Sequence, residues 1–440
     1  MSTATGGSAR RIRRSVDLRR KLAWVAILYF AEGMPFGVVK DVLPVYFRVH
    51  DVDLTDIGLT ALLGLPWTLK VLWSPLVDRF GRRKDWISGC LAGLAVLCAA
   101  IPLFEPGDLT LGLWITLIAM TCVSATQDIA IDAYAIGLVS DGEEGDANGV
   151  RVSAYRVALI VAGGGLLLLR GWLGWAGIFW CAAGIFLMLA LVARATPEIE
   201  IDGGGGNSGW ATALRGWLAG PGRRGRSGVV ALFAFVLIYK LGDAAMAPMV
   251  KPFWVDRGLS VEEIGMVSTT LGVGATIAGA LVGGWLTDRW GIFHSLWVLG
   301  LAQAMSNLGY AAVAWFDPAV PMAWQTAVSS ATWATALVEP ARLAIYAASL
   351  LESFTGGLGT AAFLAFLMHV CEKRHAAVQY ALLSAVFAFS RDVAGAASGW
   401  ATTRLGYDAY FLMTFAFAFP GLALVPLLKP WIRDGRDSPR

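Results

Sequence analysis

Long apolar runs separated by short polar breaks dominate the chain, and most runs have the length of a helix that crosses a bilayer. A crossing takes roughly 20 apolar residues. By that ruler the pattern predicts twelve helices. Helix 1 spans 22–49, helix 2 55–78, helix 3 86–104, helix 4 111–139, helix 5 149–170 and helix 6 174–194. Helices 7 and 8 fall at 228–255 and 261–287, helix 9 at 293–316 and helix 10 at 342–371. Helices 11 and 12 fall at 376–402 and 408–428. Between helices 6 and 7 the pattern breaks. Gly203 to Gly206, Pro221 and several arginines make residues 195–225 a polar linker. Pro318 to Pro340 is weakly apolar and rich in Ser and Thr, and fits either a loop or a short re-entrant helix. The fold class is therefore all-α and polytopic. Residues 1–194 form one six-helix bundle with a basic tail, 195–225 the linker, and 226–440 a second six-helix bundle with its own tail.

Composition agrees. Hydrophobic residues make up 57% of the 440 residues and charged residues only 15%, with a mean hydropathy of +0.61. Those values exclude a soluble enzyme and a disordered chain. A net charge of +3, from 35 basic and 32 acidic residues, is too balanced for a nucleic-acid binder. The basic residues are unevenly placed. With both termini inside, inner tails and loops hold 24 Lys and Arg, while the outer loops hold five: Arg48, Arg170, Arg257, Arg342 and Arg404. The positive-inside rule then places both termini in the cytoplasm. Helix 1 follows a basic tail, contains Glu32 and is too long for a signal-peptide core, so it is read as retained. The five cysteines lie in or beside apolar segments with no paired spacing, and the four histidines have no metal-ligand spacing. No hydrolase signature is present, so neither enzyme activity nor a cofactor is expected.

The two halves repeat a pattern. Asp56-Ile57-Gly58 opens helix 2 and Glu263-Ile264-Gly265 opens helix 8, 207 residues later. The same helices end in Asp78-Arg79-Phe80-Gly81 and Asp288-Arg289-Trp290-Gly291, offset by 210. Repeats joined by a linker are a common layout of secondary transporters. The stretches SPLVDRFGRR, from Ser74 to Arg83 and including Arg82, and GWLTDRWG, from Gly284 to Gly291, resemble the loop motif of the major facilitator superfamily. That resemblance gives Asp78, Arg79, Gly81, Arg82, Asp288, Arg289 and Gly291 a gating role. More narrowly, the chain resembles the AmpG-type muropeptide permeases. The matching stretches are GLPWTLKVLWSPLVDR from Gly64, ATQDIAIDAY from Ala125, YKLGDA from Tyr239, ESFTGGLGTAAF from Glu352 and QYALLSA from Gln379. The related acetyl-CoA transporters are similar around Ala125 to Tyr134. The resemblance implies proton-driven import of anhydro-muropeptides through a cavity lined by helices 1, 4, 7 and 10. The alternatives are another anionic metabolite such as an acyl-CoA, or a non-transporting sensor on the same fold. The expected partners are a small-molecule substrate, protons and the lipid bilayer, with no nucleic acid, and the chain is expected to be a monomer.

Charges within apolar helices are costly, roughly 2.5–3.5 kcal/mol each, and mark functional positions. Thirteen lie in the predicted helices, among them Lys40, Asp41, Lys70, Lys251 and Asp392. Asp128 and Asp132 share a face of helix 4. Counting from helix ends puts Asp132 level with Arg156, so these two are expected to pair and Asp128 to be the freer, proton-carrying carboxylate. Glu352 and Arg391 both come out near mid-membrane and are expected to face each other. Lys240 and Asp243, three apart, are expected to neutralise each other in part. Proton coupling is thus assigned to Asp128, Asp132, Glu32 and Asp243. Substrate binding is assigned to Glu352, Arg391, Lys240, Arg156 and Gln127. Lys40, Lys70 and Lys251 are expected to snorkel toward the surfaces. The glycines at 272, 274, 279, 283, 356, 357 and 359 are expected at close helix contacts or flexing points.

Overall fold

The structure is a computed structural model that describes residues 4–107, 109–139, 143–198, 226–316, 340–371 and 376–433. Most of the 195–225 linker, and Pro318 to Pro340 up to residue 339, lie outside them. Among the described residues the regular structure is entirely helical. Nine helices among the described residues are long and apolar enough to cross a membrane. Seven are single: α1 (Leu18–Val49), α3 (Arg83–Leu103), α4 (Leu111–Leu138), α7 (Gly228–Asp256), α8 (Val261–Trp290), α9 (Ile292–Phe316) and α10 (Arg342–Val370). The other two are double. Gly174, at φ 66°, divides Asp146–Arg194 into α5 (146–173) and α6 (175–194). Gly406, at φ 80°, divides Gln379–Ile432 into α11 (379–405) and α12 (407–432). A positive φ is strained for any residue with a Cβ, so glycine stands at both reversals. The twelfth crossing, α2, runs over 54–79 as α-helical and 3₁₀ pieces. Asp53 caps it, accepting the Thr55 backbone N–H at 2.7 Å, and that bond holds the Asp53 carboxyl below its usual range.

The contacts gather the chain into two units. One comprises Met1–Leu43 with Leu69–Gly204, the other Pro44–Thr68 with Gly205–Arg440. The first half of α2 therefore packs with the second unit, chiefly on α11. Apolar burial drives little in lipid, and close backbone approach takes its place. In the first unit, Gly33 and Gly37 let α1 approach Ala158 and Ala162 of α5, where a Cβ would come within 2.8 and 2.7 Å. In the second, Gly279, Gly283 and Gly357 bring α8 and α10 into backbone contact, as the sequence suggests. An aromatic cluster fills the inner part of the second unit. Tyr239 stacks on Phe363 at 5.5 Å and donates its hydroxyl to the Leu296 carbonyl at 2.7 Å.

Gly399 of α11 is the tightest of these crossings. A Cβ there would fall on the backbone oxygen of Leu54, which cannot yield as a side-chain tip could. Gly399→Ala is therefore expected to destabilise the protein by about 1–3 kcal/mol. Thermal unfolding in detergent checks this, and an unchanged midpoint would remove Gly399 from the packing account.

Candidate functional site

Each unit contains a polar cluster at membrane depth. In the first, Asp128 and Asp132 project from the same face of α4. Asp132 Oδ1 accepts the Tyr29 hydroxyl of α1 at 2.8 Å and the Arg151 guanidinium of α5 at 3.1 Å. That guanidinium also lies over the Tyr29 ring, 4.5 Å from its centroid. Lys70 of α2 is placed between the two aspartates, 3.5 Å from Asp128 Oδ2 and 3.8 Å from Asp132 Oδ2. Glu32 of α1 is buried within electrostatic range of Asp128, Asp132, Lys70 and Arg151. Two carboxylate oxygens here, Glu32 Oε2 and Asp128 Oδ1, are buried without a hydrogen-bond partner. Gln127, fully buried beside Asp128 in the chain, has neither amide atom bonded. Buried polar atoms are normally satisfied, so unsatisfied ones call for a function.

Two of the expectations change here. Arg151, not Arg156, holds Asp132, and Arg156 is not among that carboxylate's partners. The helix count fixed depth but not direction around the axis, and Arg151 has the Tyr29 ring to lie on. Lys70 does not snorkel but bridges two carboxylates. Asp128 is the freer of the two aspartates, as expected: Lys70 is 3.5 Å from one of its oxygens and the other is unpartnered, while Asp132 is held by Tyr29 and Arg151.

The second cluster forms where α7 breaks. Its two helical segments, Arg226–Ile238 and Leu241–Asp256, are separated by a turn at Tyr239 and Lys240. Sequence periodicity suggests one continuous helix; the turn instead points the buried Lys240 ammonium at Gln303 Oε1 of α9, 2.5 Å away, and Asp243 Oδ2, 3.1 Å away. The expected Lys240–Asp243 pair is present. Glu352 of α10 is in electrostatic range of both Asp243 and Lys240. A Cβ at Gly356 would lie 3.8 Å from both Gln303 Nε2 and Glu352 Oε1, so these two side chains converge. Ser306 and Thr355 continue the polar surface with a 2.8 Å hydrogen bond.

Glu352 thus meets α7 rather than Arg391. Arg391 lies 3.9 Å from Asp392, the next residue of α11. α10 packs mainly on α8 and α9, so equal depth did not bring α10 and α11 charges together. Gln303, Arg151 and Tyr29 were not singled out in the sequence. An amide inside an apolar helix was the available signal for Gln303. Arg151 counts among the basic residues at a helix end, and Tyr29 carries no charge.

The two DRxG loops end in glycines of positive φ, Gly81 at 73° and Gly291 at 80°. Arg82 reaches Asp85 at 3.1 Å and Glu198 at 2.7 Å, and Lys84 reaches Glu198 at 2.6 Å. Lys84 and Arg82 hold the Glu198 carboxyl below its usual range. Arg79 lies against Phe80 and Arg289 against Trp285, 5.8 and 5.7 Å from the ring centroids. Asp288 stands in the last turn of α8, and the side chain of Asp78 lies outside the described set.

The family profile of the Major Facilitator Superfamily matches residues 25–338. An anhydromuropeptide permease of Escherichia coli K12 is 32% identical over 417 residues, covering 92% of this chain and 78% of that protein. The chain belongs to the major facilitator superfamily and, within it, to the AmpG-type permeases. A putative AmpG 4 transporter of Rickettsia conorii is 27% identical over 93% of the chain and 96% of its own length. Among solved structures, a bacterial homolog of the human lysosomal transporter Spinster superposes with a TM-score of 0.73 at 15% identity, covering 96% of this chain and 99% of the other. The nucleoside transporter NupG gives 0.68 at 13% identity, covering 93% of this chain. These likenesses establish the major facilitator fold. The AmpG-type permease is a multi-pass membrane transporter, and the two polar clusters are charged groups within its spans.

Proposed function

We propose that this permease imports anhydro-muropeptides across the cytoplasmic membrane by proton symport and alternating access, with both termini in the cytoplasm. The observation that carries the substrate assignment is the likeness to the Escherichia coli permease over 92% of the chain. Charge counting supports proton coupling. The first cluster has three carboxylates, Glu32, Asp128 and Asp132, against two cations, Lys70 and Arg151. The second has two, Asp243 and Glu352, against Lys240. Each thus holds one carboxylate more than cations, and an uncompensated charge in a low dielectric is expensive. One proton neutralises each cluster. In the first, the unpartnered oxygens of Glu32 and Asp128 are the atoms that would take it.

On this reading Asp128, Glu32 and Asp132 bind the proton as one coupled group, with Tyr29 and Arg151 fixing Asp132. Asp243 and Glu352 play the corresponding part around Lys240. Glu352, Lys240 and Gln303 offer a carboxylate, an ammonium and an amide to a polar substrate, and Gln127, Arg156 and Arg391 complete the proposed contacts. The distribution of Lys and Arg supports the membrane orientation. The protein is taken to act as a monomer without a cofactor and without catalysing a reaction.

Accumulation of labelled N-acetylglucosaminyl-anhydromuramyl peptide in membrane vesicles tests the proposal. Uptake should follow an imposed proton gradient and collapse with a protonophore. Gradient-independent uptake would overturn the coupling, and no uptake would overturn the substrate. Glu352→Gln is expected to raise the KM of uptake roughly tenfold, the loss of one charged hydrogen bond. An unchanged KM would remove Glu352 from the substrate contacts.

A further inference from the structure

The first unit has an open groove of about 470 Å³ that neither cluster uses. Its floor is one face of α3, with Trp86, Gly89, Cys90 and Gly93, and Val123 of α4 forms a wall. Phe80, from the loop between α2 and α3, closes one end beside Asp85. Gly89 is not needed for helix packing there, since a Cβ on it would meet nothing within 4 Å. Its missing side chain is what leaves the groove open. Phe80, which lines the groove, and Leu72 and Leu76, close to it in the chain, leave exposed apolar surface. In a membrane protein such a face meets lipid.

The charges at the mouth differ from the lining. Residues 79–84 carry four basic side chains, Arg79, Arg82, Arg83 and Lys84. Arg83 turns to the Val77 carbonyl, and Arg79, Arg82 and Lys84 counted against Asp85 and Glu198 leave the mouth net positive. Arg79 is exposed against Phe80, and Arg82 is two-thirds exposed. The Trp86 indole N–H donates to the Phe80 carbonyl at 2.5 Å, which fixes the ring at the groove. An apolar slot opening onto a basic rim at a helix end has the chemistry of an anionic phospholipid: one acyl chain along α3, the phosphate at the arginines.

We infer that this groove is a binding site for an anionic phospholipid, with Arg79 and Arg82 holding the headgroup and Gly89 and Gly93 admitting an acyl chain. Such a lipid would brace the loop that Glu198 already clasps through Arg82 and Lys84.

Tryptophan quenching by brominated lipids tests this in the full-length protein reconstituted in phosphatidylcholine vesicles. The Trp86 contribution is the difference between wild type and Trp86→Phe. It should reach half-quenching at a mole fraction of brominated phosphatidylglycerol lower by at least about fivefold than that of brominated phosphatidylcholine, since each basic residue near the surface is worth about that factor. Arg79→Gln with Arg82→Gln should remove the preference, and Gly89→Leu, filling the slot, should lower quenching by both lipids. Equal quenching of Trp86 by the two lipids in wild type would overturn the inference. So would a preference that survives the arginine replacements. Those two comparisons decide the matter even if Gly89→Leu fails to fold.

Discussion

Asp128→Asn is expected to abolish gradient-driven accumulation of anhydro-muropeptide while leaving a folded protein. Asp128 is 6% exposed, and its Oδ1 has no hydrogen-bond partner. Lys70 approaches Oδ2 only to 3.5 Å, too long for a strong charge-assisted bond. Replacing the carboxylate by an amide leaves Glu32 and Asp132 against Lys70 and Arg151, a neutral set without any proton. The proton then has no electrostatic reason to bind, and substrate movement is released from the gradient. Accumulation should fall at least tenfold, while exchange of labelled for unlabelled substrate across the membrane continues. Thermal stability should hold or rise, because an excess buried charge has been removed. Glu32→Gln should act in the same direction. The double replacement should be no worse than either single one, since both remove the same shared proton. Wild-type accumulation in Asp128→Asn would take that residue out of the mechanism.

The second large effect concerns stability rather than transport. Glu263, at the start of α8, is the centre of a buried network in the second unit. Its Oε1 accepts from the guanidinium of Arg342 and from the Tyr346 hydroxyl at 2.6 Å. Its Oε2 accepts the Ser260 backbone N–H at 2.7 Å, and the Ser260 hydroxyl accepts the Glu263 N–H at 3.1 Å, a capping box. Glu263 and Arg342 are 6% and 3% exposed. Removing one member of a buried pair leaves an uncompensated charge, at about 3–5 kcal/mol. Glu263→Gln should therefore lower stability in detergent by about that amount, and Glu263→Gln with Arg342→Met should recover most of it. A single replacement that costs under about 1 kcal/mol would show that the pair is solvated in solution.

The fold was legible because membrane crossings are written in long apolar runs. Even the divisions at Gly174 and Gly406 showed as gaps in the pattern, since a reversal within one continuous helical stretch calls for glycine. The candidate site was legible at the level of which helices carry charge: α1, α4, α7 and α10 each contribute a carboxylate to one of the two clusters. Partners were not. A count of residues from a helix end gives depth at 1.5 Å per residue but says nothing about azimuth or neighbours. Hence depth alone pairs Arg156 with Asp132 where Arg151 serves, and Arg391 with Glu352 where Lys240 is the neighbouring cation. Lys70 departs from the snorkelling expectation for a related reason. A lysine in an apolar helix can reach either a surface or a carboxylate, and only the neighbouring helix decides. The break at Lys240 left no proline or paired glycine at the turn to announce it.

The central claim, that one substrate moves with protons bound in these clusters, has a direct test. The purified permease is reconstituted into liposomes enclosing a pH-sensitive dye, with no imposed gradient, and anhydro-muropeptide is added outside. The account expects the interior to acidify as substrate enters, in fixed proportion to the label taken up, and expects Asp128→Asn to move label without acidification. Substrate entry with no change in internal pH in the wild-type protein would contradict it.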